Sequence, residues 1–306
     1  MSELVPVLTG FLAAAVRIST PLLLAATGEL LNERAGVINL SIEGAMLTGA
    51  LASALGALAG GPWLGVAAAV AAGILIAAVF SAIALLARAD QIITGTAVTL
   101  GAVGFTGAVS RSAFGPAGPG LSIPTLGVWP LPGLKGIPVL GPVLFEQPAL
   151  TYLAWILVPC AGWFLFRSWW GLALRATGES AEAARASGVP VRRVQILATL
   201  VGGALAGLAG GSLVLAQVGT FAEKMTAGRG FIAIAIVVLG RWHPAGVLVA
   251  ALLFGSASAL QFAFQALGLA LPYQLFLVMP YALALLALAP GMGRARAPAG
   301  LGTGTR

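Results

Sequence analysis

The sequence predicts an all-α polytopic membrane protein with about nine transmembrane helices, eight to ten by the boundaries alone. Three observations predict it. The chain is 59% hydrophobic and only 8% charged, against about 25% charged residues in soluble domains. Its mean hydropathy is +1.01. Its apolar runs recur at the length a bilayer demands, about 20 residues for a core of about 30 Å. A water-soluble fold could not cover its surface with so few charges.

Spans are expected near 6–29, 37–59, 63–87, 91–110, 149–166, 195–218, 227–240, 244–267 and 272–289. The first has no basic residue ahead of Arg17, so it lacks the positive lead of a signal peptide and reads as a retained helix. Arg17 itself falls mid-span, where a charge is costly. Either residues 2–16 lie along the interface, with Arg17 snorkelling, or Arg17 pairs inside the bundle. The seventh span is short and reads as a half-helix or one that begins in a buried loop. Residues 1–290 form a single transmembrane domain.

Between the fourth and fifth spans, residues 111–148 carry 8 of the 18 prolines and 7 glycines. Proline without a helical partner network cannot face lipid, so this is an extracytoplasmic loop, with pieces such as Ile137–Leu144 at the interface. It is either a passive connection or a docking surface for a solute-delivering partner. Residues 167–194 form the most charged loop. Residues 291–306 read as a flexible basic tail.

The positive-inside rule orients the set. With 167–194 in the cytoplasm, the inner segments hold 11 basic residues and the outer ones 4. The net charge of +7, from 14 Arg and 2 Lys against 9 acids, sits at the ends of apolar runs. It therefore reads as topology signal and lipid headgroup contact, not as a nucleic-acid track. One Cys and one His exclude a disulfide within the chain and a zinc site. No phosphate-binding loop and no nucleophile motif is present, so an enzyme is not expected and no cofactor is implied. His243, just before Pro244, reads as interfacial.

Glycines 203, 207 and 211 stand at i, i+4 and i+8, a spacing that lets helices approach closely in lipid. Polar residues within spans mark a candidate solute path: Asn39, Glu43 and Thr48 in the second span, Gln91, Thr94, Thr96 and Thr99 in the fourth, then Gln217, Gln261 and Gln265. Hydroxyls and amides suit a neutral polar solute, and equally suit hydrogen bonding between helices. Glu43 reads either as a path residue or as a structural carboxylate near the start of its helix. No Arg or Lys stands in the central spans to favour an anionic solute.

Within 171–191, alanines at 181, 183, 184 and 186 favour helix, and Gly188 followed by Pro190 stops it. The product is a short helix with a small-residue face flanked by charges. Its Glu182-Ala183-Ala184 followed by Gly188 reads E-A-A-x-x-x-G. This resembles the cytoplasmic coupling loop of ABC importer permeases. GELLNERAGVINLSIEGAMLTGA (28–50), DQIITG (90–95), GLALRATGESAEAARASG (171–188), RGFIAIAIVVLGRWHPAG (229–246) and LPYQLFLVMPY (271–281) follow in the order seen in the branched-chain amino acid and ribose class. They are most similar to its nucleoside and simple-sugar branch. The likeness spans roughly residues 10–290.

The resemblance implies a type II-like importer permease of the plasma membrane, working by alternating access. Its implied partners are a cytoplasmic ABC ATPase, a second permease, often non-identical, and an extracytoplasmic solute-binding lipoprotein. It implies that Glu182, Ala183, Ala184 and Gly188 carry the ATPase contact, supported by Arg175, Gly178 and Glu179. The broader motif continues with I-x-L-P, whereas Val189-Pro190 follows here. Nucleosides lead as solute, with simple sugars and then branched-chain amino acids as alternatives. An ion-coupled secondary carrier is the runner-up mechanism, and loop 171–188 discriminates against it.

Overall fold

A computed structural model describes residues 4–115, 122–266, 278, 282 and 297–302, with side chains given from Pro6 and through Ala263. Seven helices among them are long and apolar enough to cross a membrane, and an eighth is apolar but short. Eight of the nine expected spans correspond to these. The ninth, 272–289, lies outside the described residues but for two positions, and Gln265 has no described side chain.

Helix α1 runs Leu4–Arg34, α2 Ile42–Gly60 and α3 Pro62–Phe80, the last extended by a π-helical turn at Ser81–Leu86. Helix α4, Gln91–Phe114, is N-capped by the Asp90 carboxylate, which accepts from Ile93 N at 2.8 Å. Helix α5 (Ala149–Arg167) leads into two short helices, α6 (Trp169–Glu179) and α7 (Ala181–Ala186). Helix α8, Val191–Leu213, ends in a π-helical turn, Val214–Val218. Helices α9 (Arg229–Leu239) and α10 (Pro244–Ala266) follow.

The core is α8 wrapped by α1, α2 and α3, as the glycine spacing predicted. A Cβ on Gly207 would lie 2.2 Å from the Ala69 carbonyl oxygen of α3, and one on Gly210 would lie 1.8 Å from that of Met46 in α2. Glycine lines both sides of α8, so both neighbours approach to backbone contact. Leu23, Leu24, Leu30, Met46, Leu47 and Leu213 fill the space between.

Two departures from the sequence reading have physical causes. Helix α1 continues five residues past 29, because Glu29, Asn32 and Glu33 are buried by neighbours instead of emerging into water. Residues 37–41 are not helical. The Asn39 carboxamide accepts from Ser41 N (3.1 Å) and Ser41 Oγ (2.5 Å), closing a local turn that competes with helix. Arg17 lies inside α1, half-buried, and points Nε at Gln147 Oε1 (3.5 Å), so it faces the bundle and not the interface.

The proline-rich loop folds back on the bundle. Strands β1 (Val128–Pro130) and β2 (Glu146–Pro148) pair antiparallel. Ile123 N and Leu126 N donate to the carbonyls of Gly219 and Leu215, tying the loop to the end of α8.

Candidate functional site

The segment predicted to couple is built from short-range rules. Ser168 Oγ accepts from Gly171 N (2.9 Å) and starts α6. One face of α6 is buried through Gly171, Leu174, Thr177 and Gly178. A Cβ on Gly178 would stand 2.2 Å from the Arg34 carbonyl oxygen, so α6 is seated directly on the end of α1. Ser180, in extended backbone, then breaks the helix. Its Oγ accepts from Ala183 N (3.2 Å) and starts α7. The single short helix expected within 171–191 is therefore two, because the serine hydroxyl offers the backbone a competing cap.

Helix α7 ends in a Schellman motif. Gly188 N donates to Arg185 O and Val189 N to Ala184 O, both at 3.0 Å. Gly188 has φ +83° and open space around it, so its glycine is required by backbone conformation and not by packing.

The seven predicted coupling residues divide by exposure. Glu182 and Ala183 face outward, while Ala184 is buried beneath them. Gly178 is buried against α1. Arg175 lies over the Phe166 ring, 5.1 Å from its centroid, and Phe166 stacks on His243. Glu179 is exposed, and its Oε2 accepts from Ala299 N at 3.3 Å.

That last contact belongs to the tail. Residues 297–302, expected to be flexible, are laid along the coupling segment. Gly300 N donates to Gly178 O (2.8 Å) and Gly302 N to Gly36 O (3.2 Å). The tail thus bridges α6 and the α1–α2 connection.

Behind the coupling segment lies a buried polar junction that sequence reasoning missed. Glu29 accepts from Asn32 Nδ2 (2.7 Å) and Asn39 N (3.1 Å). Glu33 accepts from Trp242 Nε1 (2.5 Å), and Arg34 donates twice to the Trp242 carbonyl (2.8 and 2.6 Å). Glu29, Asn32 and Glu33 share one helix face at i, i+3 and i+4, a spacing that was visible. Their partners Asn39, between α1 and α2, and Trp242, between α9 and α10, were not.

Six of the residues proposed for the solute path, Asn39, Glu43, Thr94, Thr96, Gln217 and Gln261, serve different places. Glu43 is nearly all buried and accepts three hydrogen bonds: from Thr226 Oγ1 (2.6 Å), Gly228 N (2.9 Å) and Gly230 N (2.6 Å). It caps the N-terminus of α9, where a carboxylate also meets the positive end of the helix dipole. With 11 residues, α9 is about 16 Å long, half a bilayer core, and runs from Glu43 to the Trp242 junction.

Gln217 Nε2 donates to Arg17 O at 2.7 Å. That carbonyl stands four residues before Pro21, whose missing N–H leaves it unpaired within α1. Gln217 therefore repairs a helix defect. Asn39 is spent on its own turn. Thr96 is half-buried and bonds its own helix backbone at Ile92 O and Ile93 O. Thr94 is buried on the face of α4 that carries Gln91, and Gln261 is buried on α10. No hydrogen bond among the described residues joins any two of the six.

The chain is similar to known proteins along most of its length. It is 42% identical over 268 residues to TsgC13 of Haloferax volcanii, named as a candidate glucose ABC transporter permease, covering 86% of this chain and 80% of the relative. It is 36% identical over 291 residues to the guanosine ABC transporter permease protein NupQ of Bacillus subtilis, covering 92% and 91%. It is 34% identical over 254 residues to the nucleoside ABC transporter permease protein NupC of Lactococcus lactis, covering 79% and 78%. No solved structure matches. A family model matches residues 11–288, and the chain belongs to the family described as branched-chain amino acid transport system / permease component.

Proposed function

We propose that this permease carries a nucleoside, or a related neutral polar solute, through the membrane, driven by an ATPase that docks on residues 169–188. The chain is the permease subunit of an ABC importer and works with ATPase and solute-binding partners. The finer reading is that a second, non-identical permease completes the pathway and that the arginine-rich end faces the cytoplasm.

The observation that carries the coupling proposal is the construction of α7. Ala184 anchors it from beneath, two capping motifs hold its ends, and Glu182, Ala183 and Arg185 are left exposed. A rigid, outward, charged and small-residue face is what a partner groove needs for grip and orientation.

The same segment has a mechanical route inward. Helix α6 seats on Arg34 through Gly178. Arg34 and Glu33 hold Trp242, α9 ends in the turn just before it, and Glu43 of α2 grips the far end of α9. A displacement of α6–α7 by ATP-driven closure of the partner is passed along this series as rigid-body motion. A ligand shifts such an equilibrium only by its differential affinity for the two states, so the ATPase contact differs between them.

A neutral solute is favoured by the capping of α9. Its positive end, the kind of half-helix terminus that holds anions in other transporters, is already occupied by Glu43. Guanosine and nucleoside transport are the named activities of two relatives covering most of the chain, and the glucose naming of a third makes simple sugars the second reading. Uptake of labelled guanosine and of labelled glucose in cells carrying the complete importer tests the solute. Guanosine uptake that unlabelled glucose does not reduce supports the nucleoside reading, and the reverse pattern overturns it.

A further inference from the structure

We infer that this chain binds an anionic phospholipid at the end of the bundle that carries the coupling segment. The headgroup lies among Arg88, Arg185, Arg192 and Arg193, and an acyl chain lies along α8.

The four arginines come from three separate elements: the α3–α4 connection, α7 and the first turn of α8. They line one pocket of about 490 Å³, floored by the backbone and side chains of 189–191. No acidic residue lines it. Among the described residues none of the four makes a salt bridge. Four like charges converging without a carboxylate repel one another and call for an anion.

The pocket does not stand alone. Arg193, Leu197 and Val201 are i, i+4 and i+8 on α8 and share one face. Leu197 and Val201 are about half exposed, and with Val194, Leu174 and Trp170 they line an apolar groove of about 410 Å³ whose surface is almost free of polar atoms. Helical side chains lean toward the N-terminus, so Arg193 reaches away from the groove toward the basic pocket. Trp169 and Trp170 stand exposed beside it, as tryptophans do at a membrane–water boundary. A basic pocket that ends at Arg193, one residue from an apolar groove that begins at Val194, is complementary to a headgroup and its chain, not to a water-soluble anion. Arg185 sits on the coupling helix, so the bound headgroup would tie that helix to the membrane surface.

The test uses the complete importer extracted from membranes and examined by native mass spectrometry. The importer is then exchanged into nanodiscs of phosphatidylcholine with or without phosphatidylglycerol. Phosphatidylglycerol is expected to be retained selectively over phosphatidylcholine by the unaltered protein, a comparison that needs no variant. R192Q/R193Q should weaken that retention on the order of thirtyfold, while R192K/R193K keeps most of it, and Val201→Trp should weaken it by filling the groove. Equal retention of the two lipids overturns the proposal. So does phosphatidylglycerol retention untouched by R192Q/R193Q. Displacement of the lipid by inorganic phosphate would show a site for free phosphate with no role for the groove. Loss of the ATPase with lipid still bound would show a protein-docking surface.

Discussion

Two short helices of the bundle, α7 and α9, are capped in opposite ways. Helix α7 is closed by its own neighbours: Ser180 at one end, Gly188 and Val189 at the other. Helix α9 is closed by Glu43, more than 180 residues earlier in the chain. The first arrangement makes a self-contained unit that holds its shape while it moves against the rest. The second makes a joint, because α9 cannot shift without α2. A local cap suits a part that a partner must grip, and a long-range cap suits a part that must transmit.

Breaking the long-range cap should have the largest effect. Glu43→Ala leaves the Thr226 hydroxyl and the amides of Gly228 and Gly230 without their acceptor in a buried site. The cost is on the order of 3 kcal/mol or more. Thermal unfolding of the purified importer should show a large drop, with uptake lost. Glu43→Gln keeps one acceptor oxygen and should fall between. If Glu43→Ala unfolds like the parent protein and loses only uptake, the carboxylate belongs to the solute path after all.

Breaking the local C-cap comes next. Gly188→Ala forces a side chain into the left-handed region at a cost of about 1–2 kcal/mol. Because the site is open, the loss should stay within α7. Retention of the ATPase falls, while the unfolding temperature of the bundle barely moves. Gly188→Asn, which tolerates that conformation better, should recover most of the binding.

Ser180→Ala should be smallest. It removes one side-chain cap, worth about 1 kcal/mol, and merges α6 with α7 more readily. Hydrogen exchange at Ala183, whose amide the serine holds, should quicken without change at Gly228. Quickening at both would erase the distinction between the two caps.

The same contrast explains what could be read from the sequence. Seven spans were legible because bilayer thickness sets a length that apolar runs must meet. The stop at Gly188 was legible because its cause lies within four residues. The break at Ser180 went unread, since a serine between two helix-forming runs signals a cap only when the second helix is known. The buried Glu29, Asn32 and Glu33 made α1 seem to end at 29, since their partners Asn39 and Trp242 come from other elements.

The candidate solute path was the least legible part. Glu43, Asn39 and Gln217 looked like residues kept polar for a ligand. Each answers a backbone need: the open end of α9, the turn into α2, and the carbonyl stranded by Pro21. In a medium without water, a broken helix must be mended by side chains. A polar residue in a span is thus evidence of a break somewhere, and the sequence does not say where.

The central claim is that the exposed face of α7 is where the driving subunit docks. The most direct test is co-purification of the ATPase with the tagged permease carrying Glu182→Arg, alongside solute uptake. Glu182 is exposed and outside the capping bonds of α7, so the bundle should fold and reach the membrane as before. The account predicts that the ATPase is lost from the purified complex and uptake with it. A variant that still brings down stoichiometric ATPase and still transports would contradict it.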